Sequence, residues 1–167
     1  MTVPGMVEKL NIQMNLGFTA SNLYLYLSEW CSEHKLAGAA AFLRSQAQSN
    51  VTRMMRVFDF MKTAGAHPIL NADKSSRPSC DSLEGLFATT LEAHLRLSGQ
   101  AKALSLEARS HRDEKMLGFM TALEKELQQD AVLLQTIYDQ VRSARRSGLC
   151  IYQTDRLLIN VVNNQIH

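Results

Sequence analysis

Four interruptions of the apolar pattern are the positions in this chain best suited to chemistry. Asn50, His94 and Asp130 each occupy a position where the helical period of apolar residues predicts a hydrocarbon, and Gly17 lacks a side chain at such a position. Each lies near the middle of a long helical segment, so packed helices would bring all four to one level of a bundle. Four such residues at one level describe a site inside a bundle. The pattern therefore indicates a dedicated or formerly dedicated site, with a polar layer that fixes helix register as the alternative.

Charged residues stand one turn away from two of these positions. Arg53 follows Asn50 by three residues and Glu126 precedes Asp130 by four, so each pair shares one side of a helix. A carboxylate on an apolar face is costly unless it is paired or binds a metal. We expect Arg53 to enter the bundle and pair with Asp130 or Glu126; the alternative is a side chain that extends into solvent. Gly17 is compatible with close helix packing or with a lost side chain.

The elements that must position these residues are four long amphipathic helices, predicted at about 3–33, 38–64, 81–110 and 113–147. The short break at 35–38 makes the first two antiparallel. The connection 66–81 has sixteen residues, which reach ~50 Å when extended, whereas a helix of this size is ~40 Å long. The third helix can therefore run parallel to the second. The prediction is one all-α domain over 1–167, an up-down-down-up four-helix bundle with a long crossover, which is the ferritin-like topology.

A short fifth helix is predicted at about 154–166, with Thr154 as its N-cap. Its apolar stripe consists of Leu157, Leu158, Val161 and Val162. Four helices already close a bundle, so we expect this stripe to pack between subunits and the protein to self-associate.

Composition excludes several functions. A net charge of +2 is too small to argue for nucleic acid as a partner. No apolar run reaches the ~18 residues of a membrane span, and the N-terminal stretch lacks the pattern of a signal peptide. Cys31, Cys80 and Cys150 are an odd set without metal-ligand spacing, which favours a reducing cytoplasm.

Several short runs of the sequence resemble the bacterial non-haem ferritin family. The resemblance is strongest to the divergent, ferritin-like branch of this family in enteric bacteria. The matching runs are NLYL at 22–25, SEWCS at 28–32, GAAAFLR at 38–44, AQ at 47–48 and FDF at 58–60. The helix lengths and the long crossover match as well, so the resemblance covers nearly the whole chain. It implies an octahedral shell of twenty-four subunits, oxidation of Fe(II) at a di-iron centre inside each bundle, and storage of ferric mineral.

The chain departs from the family at the ligands of that centre. The resemblance places glutamate at the positions of Gly17, Asn50 and His94, and histidine at that of Arg53. It places glutamine at the position of Leu127 and glutamate at that of Asp130. Only Asp130 keeps a carboxylate, and it is the shorter one. These six positions are therefore interpreted as a degenerate ferroxidase centre.

Other positions of the family's sites are partly kept. Tyr24 matches the tyrosine beside the centre, although no catalytic residue is assigned. At the third iron site Glu126 is kept, whereas Ser49 and Gln129 replace carboxylates.

The leading expectation is an iron-storing or iron-handling shell subunit with a degenerate centre. One alternative is a ferroxidase with a remodelled iron site made of His94, Glu126 and Asp130. Another is a cage-forming protein without iron turnover that serves as a partner or regulatory subunit. Under the leading expectation the shell handles iron slowly or depends on a co-assembled active ferritin.

Overall fold

The protein is all helical in the computed structural model, which describes residues 4–165. The helices are α1 (Pro4–Glu33), α2 (Ala37–Thr63), α3 (Leu83–Ser110), α4 (Glu114–Arg146) and α5 (Ile151–Gln165). The first four agree with the predicted bounds to within two residues, and the all-α class is confirmed. The predicted start at Val3 and the predicted end of the fifth helix at Ile166 lie outside the described residues.

The directions of the four long helices follow from their connections and contacts. Connections of three residues join α1 to α2 and α3 to α4, which makes each pair antiparallel. The start of α1 lies beside the end of α3, where Lys9 pairs with Glu107. One turn further along α1, Gln13 donates a hydrogen bond of 3.2 Å to the Leu97 carbonyl. Because α3 is antiparallel to α1, it runs parallel to α2, as the long crossover predicts.

Asparagines on α1 hold the crossover against the bundle. The Asn11 side chain accepts a hydrogen bond of 2.8 Å from the backbone N–H of Ile69. Asn15 accepts one of 2.8 Å from the N–H of Asn71 and donates one of 2.9 Å to the Ile69 carbonyl. Asn22 continues the series by donating to Asp73. These side chains supply the hydrogen bonds that an extended backbone would otherwise make with water.

The side chain of the N-cap residue itself accepts a hydrogen bond at the start of α3 and of α4. Ser82 accepts a hydrogen bond of 3.0 Å from the Gly85 N–H at the start of α3, and Asp113 accepts one of 3.1 Å from the Met116 N–H at the start of α4. Gly65 follows α2 with a φ of +83°, a conformation that favours glycine.

The prediction that Thr154 caps the fifth helix is wrong. The α5 helix begins at Ile151, and the Cys150 carbonyl already accepts a hydrogen bond from the Gln153 N–H. The Gln153 side chain returns to accept a bond of 3.3 Å from the Cys150 N–H. The Gln153 side chain supplies one half of a capping box from the third helical position, whereas the backbone carbonyl of Cys150, not its side chain, accepts from Gln153. Thr154 therefore lies inside the first turn.

The prediction that the whole apolar stripe of α5 lies between subunits is also wrong. Leu158 is 1% exposed within the subunit's own core, and Val161 and Val162 pack against the same cluster. Only Leu157 points away from it, with 53% of its surface exposed. The stripe finds room because α5 lies on the start of α2, where Gly38 has no side chain. A Cβ atom on Gly38 would overlap the carbonyl oxygen of Asp155.

Candidate functional site

The four interruptions lie at one level, where they separate the core into two apolar clusters. One cluster includes Tyr24, Ala47, Leu91 and Leu134, and the other includes Met14, Met54, Leu97 and Leu127. On every one of the four long helices, the predicted polar or missing side chain falls between these two sets. The prediction that Gly17, Asn50, His94 and Asp130 share a level of the bundle is therefore confirmed. We call this level the polar layer.

Arg53 enters the polar layer and pairs with a carboxylate from the facing helix. Its Nη2 atom lies 2.8 Å from Asp130 Oδ2 and 2.6 Å from Asn50 Oδ1. The Arg53 side chain is 10% exposed and that of Asp130 is 19% exposed. The internal ion pair expected from the sequence is confirmed, and the alternative of an outward arginine is wrong. Asn50 places its amide oxygen on the guanidinium and so cannot offer that atom to a cation.

A second arginine, Arg56, forms an ion pair with the other carboxylate, that of Glu126. Arg56 Nη2 contacts Glu126 Oε2 in a half-exposed ion pair. The sequence analysis did not predict Arg56 as the partner of Glu126, although the spacing of these residues from Arg53 and Asp130 would have allowed that prediction. Since α2 and α4 are antiparallel, an arginine three residues after Arg53 meets a carboxylate four residues before Asp130. Both remaining carboxylates of the predicted metal site thus form ion pairs with arginines of α2.

His94 is held as a neutral side chain. Its Nε2 atom lies 2.7 Å from the Leu127 carbonyl oxygen. A carbonyl oxygen only accepts, so Nε2 carries the proton and Nδ1 carries the lone pair. Burial lowers the pKa of His94, an effect that the Leu127 carbonyl and Asp130 only partly oppose. The lone pair of Nδ1 is buried and has no hydrogen-bond partner among the residues that the structure describes.

Tyr24 is fully buried beside the polar layer. Burial raises the pKa of its hydroxyl far above the ordinary value, while the side chain of Asn50 and the charge of Arg53 partly oppose this rise. The hydroxyl therefore stays protonated at neutral pH. It is a neutral donor at the edge of the layer rather than an anionic ligand.

Gly17 borders a small cavity in the polar layer. The cavity measures about 20 Å³, and Gln13, Gly17, Asn50 and Arg53 line it together with apolar side chains. A Cβ atom on Gly17 would meet nothing closer than the Leu97 Cδ1 atom at 4.0 Å. Close packing of the helices therefore does not require glycine at this position. Gln13 was missed from the sequence because a single buried glutamine carries no signal of its own.

The residues present do not fit a pair of iron ions. Within residues 4–165, no three His, Cys, Asp or Glu side chains are grouped closely enough to hold a metal ion. The guanidinium of Arg53 would repel a divalent cation beside Asp130. Leu127 contributes only its backbone carbonyl, which accepts from His94. Of the outer positions, Ser49 is half-buried and Gln129 is exposed.

Comparison with known proteins identifies the family. The family model of the ferritin-like domain matches residues 7–144. The chain belongs to the ferritin family. This ferritin is 52% identical to the bacterial non-heme ferritin-like protein of Escherichia coli strain K12, over the full length of both chains. It is 35% identical to the bacterial non-heme ferritin of Escherichia coli O6:H1, over 95% of this chain and 96% of that one.

Solved structures support the same fold. An open-pore ferritin from the archaeon Archaeoglobus fulgidus superposes with a TM-score of 0.87 at 22% identity, covering 95% of this chain and 98% of that one. A ferritin from Chlorobium tepidum superposes with a TM-score of 0.84 at 21% identity, over 98% and 96% of the chains. At such identities the likeness is one of fold, and it confirms the bundle with its long crossover and fifth helix.

Proposed function

We propose that this member of the ferritin family is a subunit of an iron-storing or iron-handling shell whose internal centre no longer oxidises iron rapidly. The observation that carries the proposal is the ion pair between Arg53 and Asp130 inside the bundle. A fixed cation stands where the resemblance places a metal ligand, and it neutralises the one carboxylate that remains at the centre.

The charge of the polar layer supports this proposal. A centre for two ferrous ions needs several anionic ligands, because carboxylates offset the metal charge and bridge the ions. Here Asp130 faces Arg53, Glu126 faces Arg56, and His94 is neutral. The alternative of a remodelled site made of His94, Glu126 and Asp130 would require both ion pairs to open. It is the less favoured alternative for that reason.

Rapid mixing with ferrous iron tests the proposal. The assembled protein is mixed under air with a pair of Fe(II) ions per subunit, the load of a two-metal site, while oxygen uptake and absorbance are followed. We expect no fast phase of oxygen uptake and no rapid coloured transient. A fast phase that disappears in His94→Ala would instead establish the remodelled site.

A restored variant provides the positive control. Gly17→Glu, Asn50→Glu, Arg53→His and His94→Glu together return the ligand types that the resemblance places at these positions. We expect this variant to gain fast oxygen uptake, because a Cβ atom at Gly17 meets no close neighbour and the competing guanidinium of Arg53 is gone. A fast phase of oxygen uptake in the wild-type protein that equals the one gained by the restored variant would refute the proposal.

Self-assembly into a closed shell is part of the proposal. Support comes from apolar side chains that α5 leaves exposed, namely Tyr152 at 51%, Leu157 at 53% and Ile159 at 39%. Sedimentation velocity measures the assembly. We expect Leu157→Asp to shift the sedimentation coefficient toward that of smaller species. Asn160→Asp is the control, since it adds the same charge on α5 without removing apolar surface, and it should sediment like the wild type. Equal sedimentation of the two variants would exclude Leu157 from the contact.

The proposed location of the protein is the cytoplasm. Cys31, Cys80 and Cys150 are free thiols, which supports a reducing cytoplasm. Within the described residues, no helix is long and apolar enough to cross a membrane.

A shell whose own centres are slow would fill faster if some subunits were those of an active ferritin. Oxygen uptake by shells refolded from a mixture of both chains tests this co-assembly.

A further inference from the structure

The cavity beside Gly17 is lined mostly by apolar side chains, with Gln13, Asn50 and Arg53 among them. Three polar atoms in its lining residues are buried without a hydrogen-bond partner among the described residues: Gln13 Oε1, Asn50 Nδ2 and Arg53 Nε. Their residues are only 3%, 1% and 8% exposed. Leaving a buried donor or acceptor unpaired costs about 1–3 kcal/mol, so three such atoms at one cavity require an explanation.

Other atoms of the same three side chains already have partners. Gln13 donates its Nε2 to the Leu97 carbonyl, which leaves the Oε1 atom as its free acceptor. Asn50 accepts from Arg53 with Oδ1, which leaves the two N–H groups of Nδ2, although the Asn50 side chain also acts on the neighbouring Tyr24 hydroxyl. Arg53 Nη2 donates to Asn50 Oδ1 and forms an ion pair with Asp130 Oδ2, an oxygen without a hydrogen bond among the described residues, and Arg53 Nε–H is a further donor without a partner there. The lining therefore offers two donor nitrogens and one acceptor oxygen.

We propose that this cavity binds one ordered water molecule, which bridges Arg53, Asn50 and Gln13. A water accepts two hydrogen bonds and donates one to satisfy this set. The volume of about 20 Å³ exceeds the ~10–15 Å³ that one water requires and admits little else. The water extends the Arg53–Asp130 pair to Gln13 on α1, so that it joins three of the four long helices.

Electrostatics favours water over an ion. Arg53 and Asp130 have opposite charges, so the pair leaves the cavity without net charge. An anion would meet the lone pairs of Gln13 Oε1, and a divalent cation would meet the guanidinium of Arg53. A neutral molecule with both donor and acceptor capacity is the ligand that meets neither repulsion.

The inference rests on the proposed function in that both depend on Arg53 lying inside the centre, but its readouts are electron density and stability rather than iron oxidation. A high-resolution crystal structure of the assembled protein, with separate soaks in bromide and in anaerobic Fe(II), tests it directly. We expect one water peak within hydrogen-bond distance of the three atoms. Anomalous scattering from bromide or iron at this place, or an absence of any density, would overturn the inference.

Two glycine variants give a second test by the sign of a melting shift. Gly118 lies in α4, and a methyl group added there would have nothing within 4 Å, so Gly118→Ala reports helix propensity alone. In Gly17→Ala the new methyl enters the cavity and displaces the water. We expect a melting temperature below that of Gly118→Ala, because Arg53 Nε and Asn50 Nδ2 lose their partner. A dry cavity would instead be filled, so a melting temperature above that of Gly118→Ala would overturn the inference even if iron oxidation is slow.

Discussion

The carboxylate of Asp155 on α5 accepts hydrogen bonds from the start of α2, with its Oδ2 atom 2.9 Å from the backbone nitrogen of Gly38. Its Oδ1 atom lies 2.7 Å from the nitrogen of Ala39. Leu36 stands at the N-cap of α2 and offers no side-chain hydrogen bond. A residue more than a hundred positions later in the chain therefore caps α2, and its charge faces the positive end of the helix dipole.

Removing this carboxylate should loosen α5 from the bundle. Asp155 is 5% exposed, so Asp155→Ala leaves two buried N–H groups without their acceptor. We expect a loss of about 1–2 kcal/mol in the free energy of unfolding, measured by urea denaturation. Asp155→Asn keeps one acceptor oxygen and should lose less. If Asp155→Ala unfolds like the wild type, the cap does not contribute to stability.

Adding a methyl group at Gly38 should expel α5 from its place. The new Cβ would overlap the Asp155 carbonyl oxygen and lie 2.8 Å from Ile159 Cγ1, and backbone cannot yield as a flexible side chain does. We expect Gly38→Ala to expose Leu158 and to increase cleavage in α5 by a protease. Gly118→Ala is the matched control and should gain up to ~1 kcal/mol from helix propensity. Equal protection of α5 in both variants would contradict this account.

The two arginines of α2 should differ sharply in their effects on stability. Arg53→Ala leaves Asp130 unpaired in a mostly buried place, so we expect a loss near the lower end of the ~3–5 kcal/mol range for such pairs. Arg56→Ala opens a half-exposed pair and should cost less than ~1 kcal/mol. Urea denaturation of both variants measures the difference, and equal losses would contradict the burial of the Arg53 pair.

The double variant Arg53→Ala with Asp130→Asn separates the pair from simple loss of packing. Neutralising Asp130 removes the stranded charge, so much of the stability lost in Arg53→Ala should return. Urea denaturation of the single and double variants measures this recovery. No recovery would show that Arg53 stabilises the bundle by packing rather than by pairing.

The pH dependence of stability should carry a contribution from His94. Its pKa is lowered in the folded protein, so the unfolded chain binds a proton that the folded chain does not. This contribution is complete above the ordinary histidine pKa of about 6.5 and is lost as the pH falls below it, at no more than ~1.4 kcal/mol per pH unit. His94→Gln keeps a donor for the Leu127 carbonyl but does not titrate. Urea midpoints between pH 7 and pH 5 should therefore fall less steeply in His94→Gln than in the wild type; parallel profiles would assign the dependence to other groups.

The sequence by itself determined the bundle and the level of its site. Apolar residues at intervals of three and four fix which face of each long helix is buried, and a helix of known rise fixes which mid-helix residues meet. Gly17, Asn50, His94 and Asp130 could therefore be placed together before any contact was known. Even the long crossover followed from the chain length that it must span.

The tertiary structure decided which partner each polar group takes. Two carboxylates and two arginines on facing helices allow more than one pairing, and only the register of α2 against α4 assigns Arg53 to Asp130 and Arg56 to Glu126. The packing of α5 was likewise undetermined, because a stripe of four apolar residues fits a subunit's own core as well as a neighbour's. The close approach at Gly38 and the carboxylate of Asp155 settle its place, and both act between residues far apart in the chain, where local periodicity carries no information.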